Sequence, residues 1–319
     1  MNLKEYNSYL NNFVSYLTNN KRYSFYTITS YKKDIYEYLE FLKKNNIDIK
    51  NSNYKIVEEY SKYLYKKKLS KRSIARKYSS IRTFYNYLEK KNVLENNIFT
   101  LVENPKKEEK LPRFINEYEL DKMFEVPDNS PKGQRDRLIL ELLYGTGVRV
   151  SELVNIKIND IDFNNNSIKV RGKGNKDRYV FYGKYCKEAI NNYIKNGRIS
   201  LLNGQTCDYL LLNRFGKNIS VVSIRKILND IINKCSLDIK ISPHVLRHTF
   251  ATHLLNEGAD IMHVKELLGH SSLSTTSIYT HVTNEKIKEV YYKTHPRAKE
   301  IKTKTNKGSL SNSGCDQKS

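Results

Sequence analysis

Between Phe25 and Leu42 the apolar side chains fall at Ile28, Tyr31, Ile35, Leu39 and Leu42, in steps of three and four. At 3.6 residues per turn that spacing returns to one face, so it predicts an amphipathic helix with one buried stripe. SKRSIARKYSSIRTFYNYL repeats the pattern with Ile74, Tyr78, Ile81, Tyr85 and Leu88. Arg72, Arg76, Ser79 and Thr83 fall on the opposite face of that second helix. Such a face is either plain solvated charge or a set of phosphate contacts, since arginines mixed with small hydroxyls serve both. The first hundred residues hold no arrangement of acids or nucleophiles and read as a helical binding module.

The periodicity stops at ENPKKEEKLPRF, a charged stretch with two prolines that reads as a linker. Beyond it, Ser130-Pro131 is a cap-and-first-turn pair that opens a helix running to about Tyr144. In SIKVRGKGNKDRYVFY, two short runs of β-forming residues flank Gly-Lys-Gly-Asn-Lys, which predicts a hairpin turning at the glycines. From Ser220 the pattern is helical again, and the last residues are polar enough to read as a flexible tail. The expected organisation is a helical DNA-binding domain over 1–102, a linker over 103–113, a mixed α/β catalytic domain over 114–298 and a tail over 299–319. The expected fold class is mainly α with a small antiparallel β-sheet.

Charge narrows the function. The chain of 319 residues carries a formal +22. Residues 1–110 hold 23 basic and 12 acidic residues, so half of the excess lies in each part. Two basic domains suit a polyanion gripped along its length better than one solvated tail does. No run approaches the ~18 apolar residues of a membrane span, and MNLKEYNSYL lacks the apolar core of a secretion signal. Cys186, Cys207, Cys235 and Cys315 form no CxxC pair, which fits a reducing cytoplasm and argues against structural zinc.

The chemistry-bearing residues cluster late in the chain. In SPHVLRHTFATHLL, Ser242 caps a helix whose first turn holds His244, with Arg247 one turn later on the same face. Free N–H groups at a helix start already favour an anion, and an imidazole and a guanidinium make that position a plausible phosphate clamp. His244, His248 and His253 do not read as a metal site: there is no HExxH, and His244 and His253 point in opposite directions around a helix. Arg149 stands in GTGVRVSELVNI at a glycine-rich turn, and Lys173 at the tip of the hairpin. Glu152, in the same motif as Arg149, reads as a partner for an arginine or a surface residue. No acidic cluster of the kind that holds Mg²⁺ is present in the pattern.

In chain order the set is Arg149, Lys173, His244-x-x-Arg247, His270 and Tyr279. Carried by GTGVRVSEL, GKGNKDR, HVLRHTFATHLL and LGHSSLSTTSIYTH, it resembles the tyrosine site-specific recombinases, also called the phage integrase family, from about residue 112 to 298. THPRA at 294–298 and the compact length are similar to the Xer subgroup, which resolves chromosome dimers. The resemblance implies that Arg149 and Arg247 fork onto the scissile phosphate, that Lys173 protonates the leaving 5′-oxygen, and that His244 and His270 orient the phosphate and assist proton transfer. Tyr279 is then the nucleophile, one among 25 tyrosines, and the reaction needs neither metal nor ATP. It further implies double-stranded DNA as partner and four protomers on two sites. A second recombinase and a DNA translocase are further partners of such systems. A helix near 283–298 is expected to be donated to a neighbouring protomer. The alternatives are an integrase of a mobile element, a type IB topoisomerase, or a DNA-binding protein that keeps the fold without the reaction.

Overall fold

The computed structural model describes residues 3–21, 23–105, 113–172, 177–237, 239, 241–269 and 282–298. The chain divides into two compact units, Met1–Lys110 and Leu111–Ser319.

The first unit contains α1 (Leu3–Asn19), α2 (Phe25–Lys44), α3 (Tyr54–Lys66) and α4 (Lys71–Lys90). Ser24 and Ser70 cap α2 and α4 by accepting the amides of Thr27 at 3.3 Å and Ser73 at 3.2 Å. The apolar stripes meet as the spacing predicts: Ile35, Leu39, Leu42, Ile74, Ile81 and Leu88 are buried in one core with Phe13, Leu17 and Tyr60. This core is rich in aromatic rings, so it also has hydroxyls to satisfy. Tyr38 and Tyr85 do so on each other, their oxygens 2.7 Å apart, and Ser52 meets Tyr85 at 3.0 Å. Asp34 is fully buried, which is tolerable only because it is paired. It accepts from Lys77 at 3.1 Å, Ser80 at 3.2 Å and Arg76.

The second unit opens with α5 (Glu117–Glu125), α6 (Pro131–Thr146) and the single turn α7 (Val150–Leu153). β1 (Ile161–Asp162), β2 (Ser167–Arg171) and β3 (Asp177–Phe181) form one antiparallel sheet in that order. Val170 stands opposite Arg178 and Arg171 opposite Asp177, so the two strands form the expected hairpin. The remaining helices are α8 (Lys184–Asn192), α9 (Arg198–Leu202), α10 (Val221–Cys235), α11 (Pro243–Asn256), α12 (Ile261–Leu268) and α13 (Val282–Thr294). α6 is apolar nearly all round and runs through the core, with Leu138, Ile139, Leu142 and Leu143 fully buried. It ends at Gly147, whose φ of +61° is left-handed. A Cβ there would lie 2.5 Å from Cδ1 of Phe250 on α11, so glycine serves both the turn and the close approach of the two helices.

In the single chain the segment through Ala298 packs against its own unit. Tyr291 is buried and donates to the Gly145 carbonyl at 2.8 Å, and Tyr292 donates to that of Tyr182 at 3.0 Å. Arg297 pairs with buried Glu141 and stacks between the Phe124 and Tyr185 rings, 4.0 and 4.2 Å from their centroids. Ala298 packs on Gly183. These contacts bury aromatic surface that the unit would otherwise expose at the end of α6. No helix among the described residues is long and apolar enough to cross a membrane.

Candidate active site

The site is built where two left-handed glycine turns face two arginines. The first turn, at Gly147, leads into Arg149, which stands at the N-cap position of α7. Its backbone N–H donates to Glu152 Oε2 at 2.9 Å, and its Nη1 to Glu152 Oε1 at 3.0 Å. Its Nη2 reaches the carbonyl of Gly269 at 3.2 Å. Gly269, φ +62°, is the second turn and ends α12.

Arg247 arrives from α11, whose start the sequence specifies. Ser242 accepts the Val245 amide, and Pro243 occupies the first helical position. Arg247 is 8% exposed. It donates to the Gly147 carbonyl and, at 2.5 Å, to that of Leu268. Thus each arginine is anchored to both a turn and a helix end, and the two guanidiniums are drawn to one place. Burial, then repulsion from Arg149 and from Arg178, pulls the Arg247 pKa down to about 10. Cations held together against their own repulsion, with one carboxylate between them, form a site prepared for an anion. His244 lies exposed in the first turn of α11, one turn before Arg247.

Glu152 is a buried hub, 5% exposed. Burial alone would raise its pKa, but hydrogen bonds from Arg178 and from the Arg149 backbone amide outweigh this and hold it below the usual carboxylate range. It is therefore a partner for an arginine and not a surface residue. Arg178, on β3, is the residue that sequence reasoning missed. Its Nη1 and Nη2 fork onto the two Glu152 oxygens at 2.6 and 2.9 Å. A signal existed: Arg178 shares the inward face of β3 with Val180, an unusual direction for a cation. Its acid lies 26 residues away, beyond the reach of spacing arguments.

Three of the six expected catalytic residues, Lys173, His270 and Tyr279, lie outside the described residues. The described ones, Arg149, His244 and Arg247, are brought to α7 and α11 as set out above. Of the expected DNA contacts, Arg72 and Ser79 are exposed on α4. Arg76 is turned to Asp34, and the Thr83 hydroxyl donates to the Ser79 carbonyl at 2.8 Å. The buried Asp34 charge needs its cation, and a threonine in a helix can satisfy its own hydroxyl locally. Both are thus less free for phosphate than the helical face suggests.

No group of three or more metal-binding side chains occurs among the described residues. His253 is buried, with Nδ1 2.8 Å from the Tyr144 hydroxyl. Burial pushes its pKa below the ordinary value of 6.5. The unfolded chain therefore binds the proton first, so stability is full above about pH 6.5 and declines as pH falls toward the lowered value. The melting temperature of the catalytic unit is expected to drop between pH 7 and pH 5. His253→Gln should flatten that slope, and an unaltered slope in the variant would assign the acid sensitivity to other groups.

Residues 113–286 match the phage integrase family, and residues 10–92 match the phage integrase N-terminal SAM-like domain. Tyrosine recombinase XerC of Oceanobacillus iheyensis is 47% identical over 294 residues, covering 91% of this chain and 96% of the relative. XerC of Bacillus subtilis strain 168 is 45% identical over 290 residues, covering 90% and 95%. Among solved structures, the XerH recombinase bound to palindromic difH substrate in a post-cleavage complex is 26% identical, with a TM-score of 0.66 over 83% of this chain and 79% of that one. The chain therefore belongs to the phage integrase family, as a tyrosine recombinase of the Xer type.

Proposed function

We propose that the protein cuts and exchanges DNA strands at a specific chromosomal or plasmid site, resolving dimers, and that Arg149, Lys173, His244, Arg247, His270 and Tyr279 carry the reaction. The observation that supports this best is the convergence of Arg149 and Arg247 on the 147 and 268–269 turns, the second of which precedes His270 directly in the chain. In this reading the two guanidiniums bind the non-bridging oxygens of the scissile phosphate and follow its charge into the five-coordinate transition state.

The phenol oxygen of Tyr279 attacks phosphorus, and the bond from phosphorus to the 5′-oxygen breaks. The departing oxygen takes a proton from Lys173, and the phenol proton leaves by way of His270 or His244. A phenol of pKa ~10 is about one part in a thousand ionised at pH 7, so the surrounding cations and the base are needed to make it a nucleophile. The phosphotyrosine keeps the phosphoester linkage, so a 5′-hydroxyl from a second duplex can reverse the step without ATP. Four protomers on two sites, alone or with a second recombinase, are the assembly this chemistry requires for exchange, and a cytoplasmic location follows from a chromosomal substrate. Arg72 and Ser79 on α4, with Arg76 where it is released from Asp34, supply phosphate contacts outside the active site. Dimer resolution is favoured over mobile-element integration because the XerC relatives match nearly end to end.

The test uses a duplex carrying the candidate site, nicked beside the scissile phosphate so that cleavage releases a short fragment and cannot reverse. Wild type in EDTA should yield protein joined to a DNA 3′ end on a denaturing gel. A bound cognate site that gives no adduct would favour the binding-protein reading.

A further inference from the structure

Arg178 has no role in the reaction as set out so far, yet it is placed within it. Its side chain is 18% exposed and spends both terminal nitrogens on Glu152. Its Nε is enclosed with no hydrogen-bond partner among the described residues. Its stem lies flat against Gly269: a Cβ on that residue would come within 2.7 Å of Arg178 Cδ and 2.8 Å of Nε. Both terminal nitrogens are turned to Glu152 and the Nε is enclosed, so Arg178 reads as the holder of that carboxylate and not as a ligand of the phosphate.

We propose that Arg178 is a positioning residue for strand cleavage, acting through Glu152 to set the place and availability of Arg149. The proposal rests on the reading of Arg149 as a phosphate clamp. A carboxylate accepts through two oxygens, and here Arg178 donates one hydrogen bond to each in the forked geometry. Arg149 shares Oε1 through Nη1 only and extends Nη2 toward the Gly269 carbonyl. Without the Arg178 fork, Glu152 is a buried anion with one guanidinium to itself, and it draws Arg149 onto both oxygens. The clamp then competes with Glu152 for its own arginine. Contact with Gly269 gives Arg178 a second effect in the same direction, because that glycine carries the carbonyl on which Arg149 Nη2 rests. The fork itself carries the effect; a cation alone would neutralise Glu152 but leave it free to turn.

The experiment is single-turnover cleavage of the nicked site with either a natural scissile phosphate or a methylphosphonate, which is neutral and has less need of a guanidinium clamp. Arg178→Met, Arg178→Lys and, for reference, Arg149→Ala are compared with wild type, with DNA affinity and melting temperature measured alongside. Displacement of a catalytic group by about 1 Å can cost ~10²-fold in rate, and a loss of that order is expected for Arg178→Met on phosphate with affinity unchanged. On methylphosphonate both the Met variant and Arg149→Ala should approach wild type. Arg178→Lys keeps a cation beside Glu152, so it should fold even if the Met variant does not, and it should retain most of the defect. Equal slowing of the Arg178 variants on both substrates, or a wild-type rate for Arg178→Lys on phosphate, overturns the proposal. If Arg149→Ala itself gains nothing from the neutral substrate, the clamp reading falls and takes the proposal with it.

Discussion

Tyr279→Phe should bind the cognate site with the affinity of the wild type and form no covalent adduct. The substitution removes one oxygen and little else, so shape and grip on DNA are retained while the nucleophile is lost. No other group stands in: a water attacking the same phosphate would leave a nick and not a protein–DNA bond. Loss of a covalent nucleophile in another enzyme costs on the order of 10⁶-fold, which places the variant below detection on a denaturing gel. Tyr291→Phe is the useful contrast. That hydroxyl donates to the Gly145 carbonyl in the core, so its removal should cost about 1 kcal/mol of stability and leave cleavage nearly intact. An adduct that persists in the Tyr279 variant would move the nucleophile to another residue.

Arg247→Ala should lower the single-turnover cleavage rate by about 10²–10³-fold, the usual cost of one donor to a developing anion. Here the loss has two sources. One is the charge at the phosphate. The other is structural, since Arg247 donates to the carbonyls of Gly147 and Leu268, and both turns lose an anchor. Arg247→Lys separates them. A lysine keeps the charge but cannot span two carbonyls in a fixed plane, so melting should recover more than the rate does. A Lys variant with the wild-type rate would show that charge alone suffices and that the positions of the turns do not matter. For His244→Ala the expectation differs, because this residue is exposed in the first turn of α11 and anchors nothing in the described structure.

Much of this site was legible in the chain because its parts are local. The Ser242-Pro243 start puts His244 and Arg247 on one face of one helix through hydrogen bonds within a few residues. The Gly147 turn and the β2–β3 hairpin are likewise short-range structures whose geometry follows from glycine and from alternation. The α2 and α4 stripes held for the same reason, as a period of 3.6 is a property of each helix by itself. Arg76 shows where that reasoning ends. Helical spacing places it on the outer face, but only the packing of α2 beside α4 puts Asp34 within its reach.

By itself the sequence determined the two basic parts, the helical first unit, the hairpin, and the residue types at the positions the family uses for phosphoryl transfer. These follow from periodicity, capping and residue chemistry, which act over a turn or two of chain. The tertiary structure alone decided that Glu152 is buried between Arg149 and Arg178, that Arg247 spans the turns at Gly147 and Leu268, and that the segment through Ala298 closes its own core. Apart from Arg149 and Glu152, three positions apart, those pairings join residues from 21 to 156 positions apart. Which acid meets which cation across such distances depends on how the helices pack, and on burial that makes an unpaired charge too costly to keep.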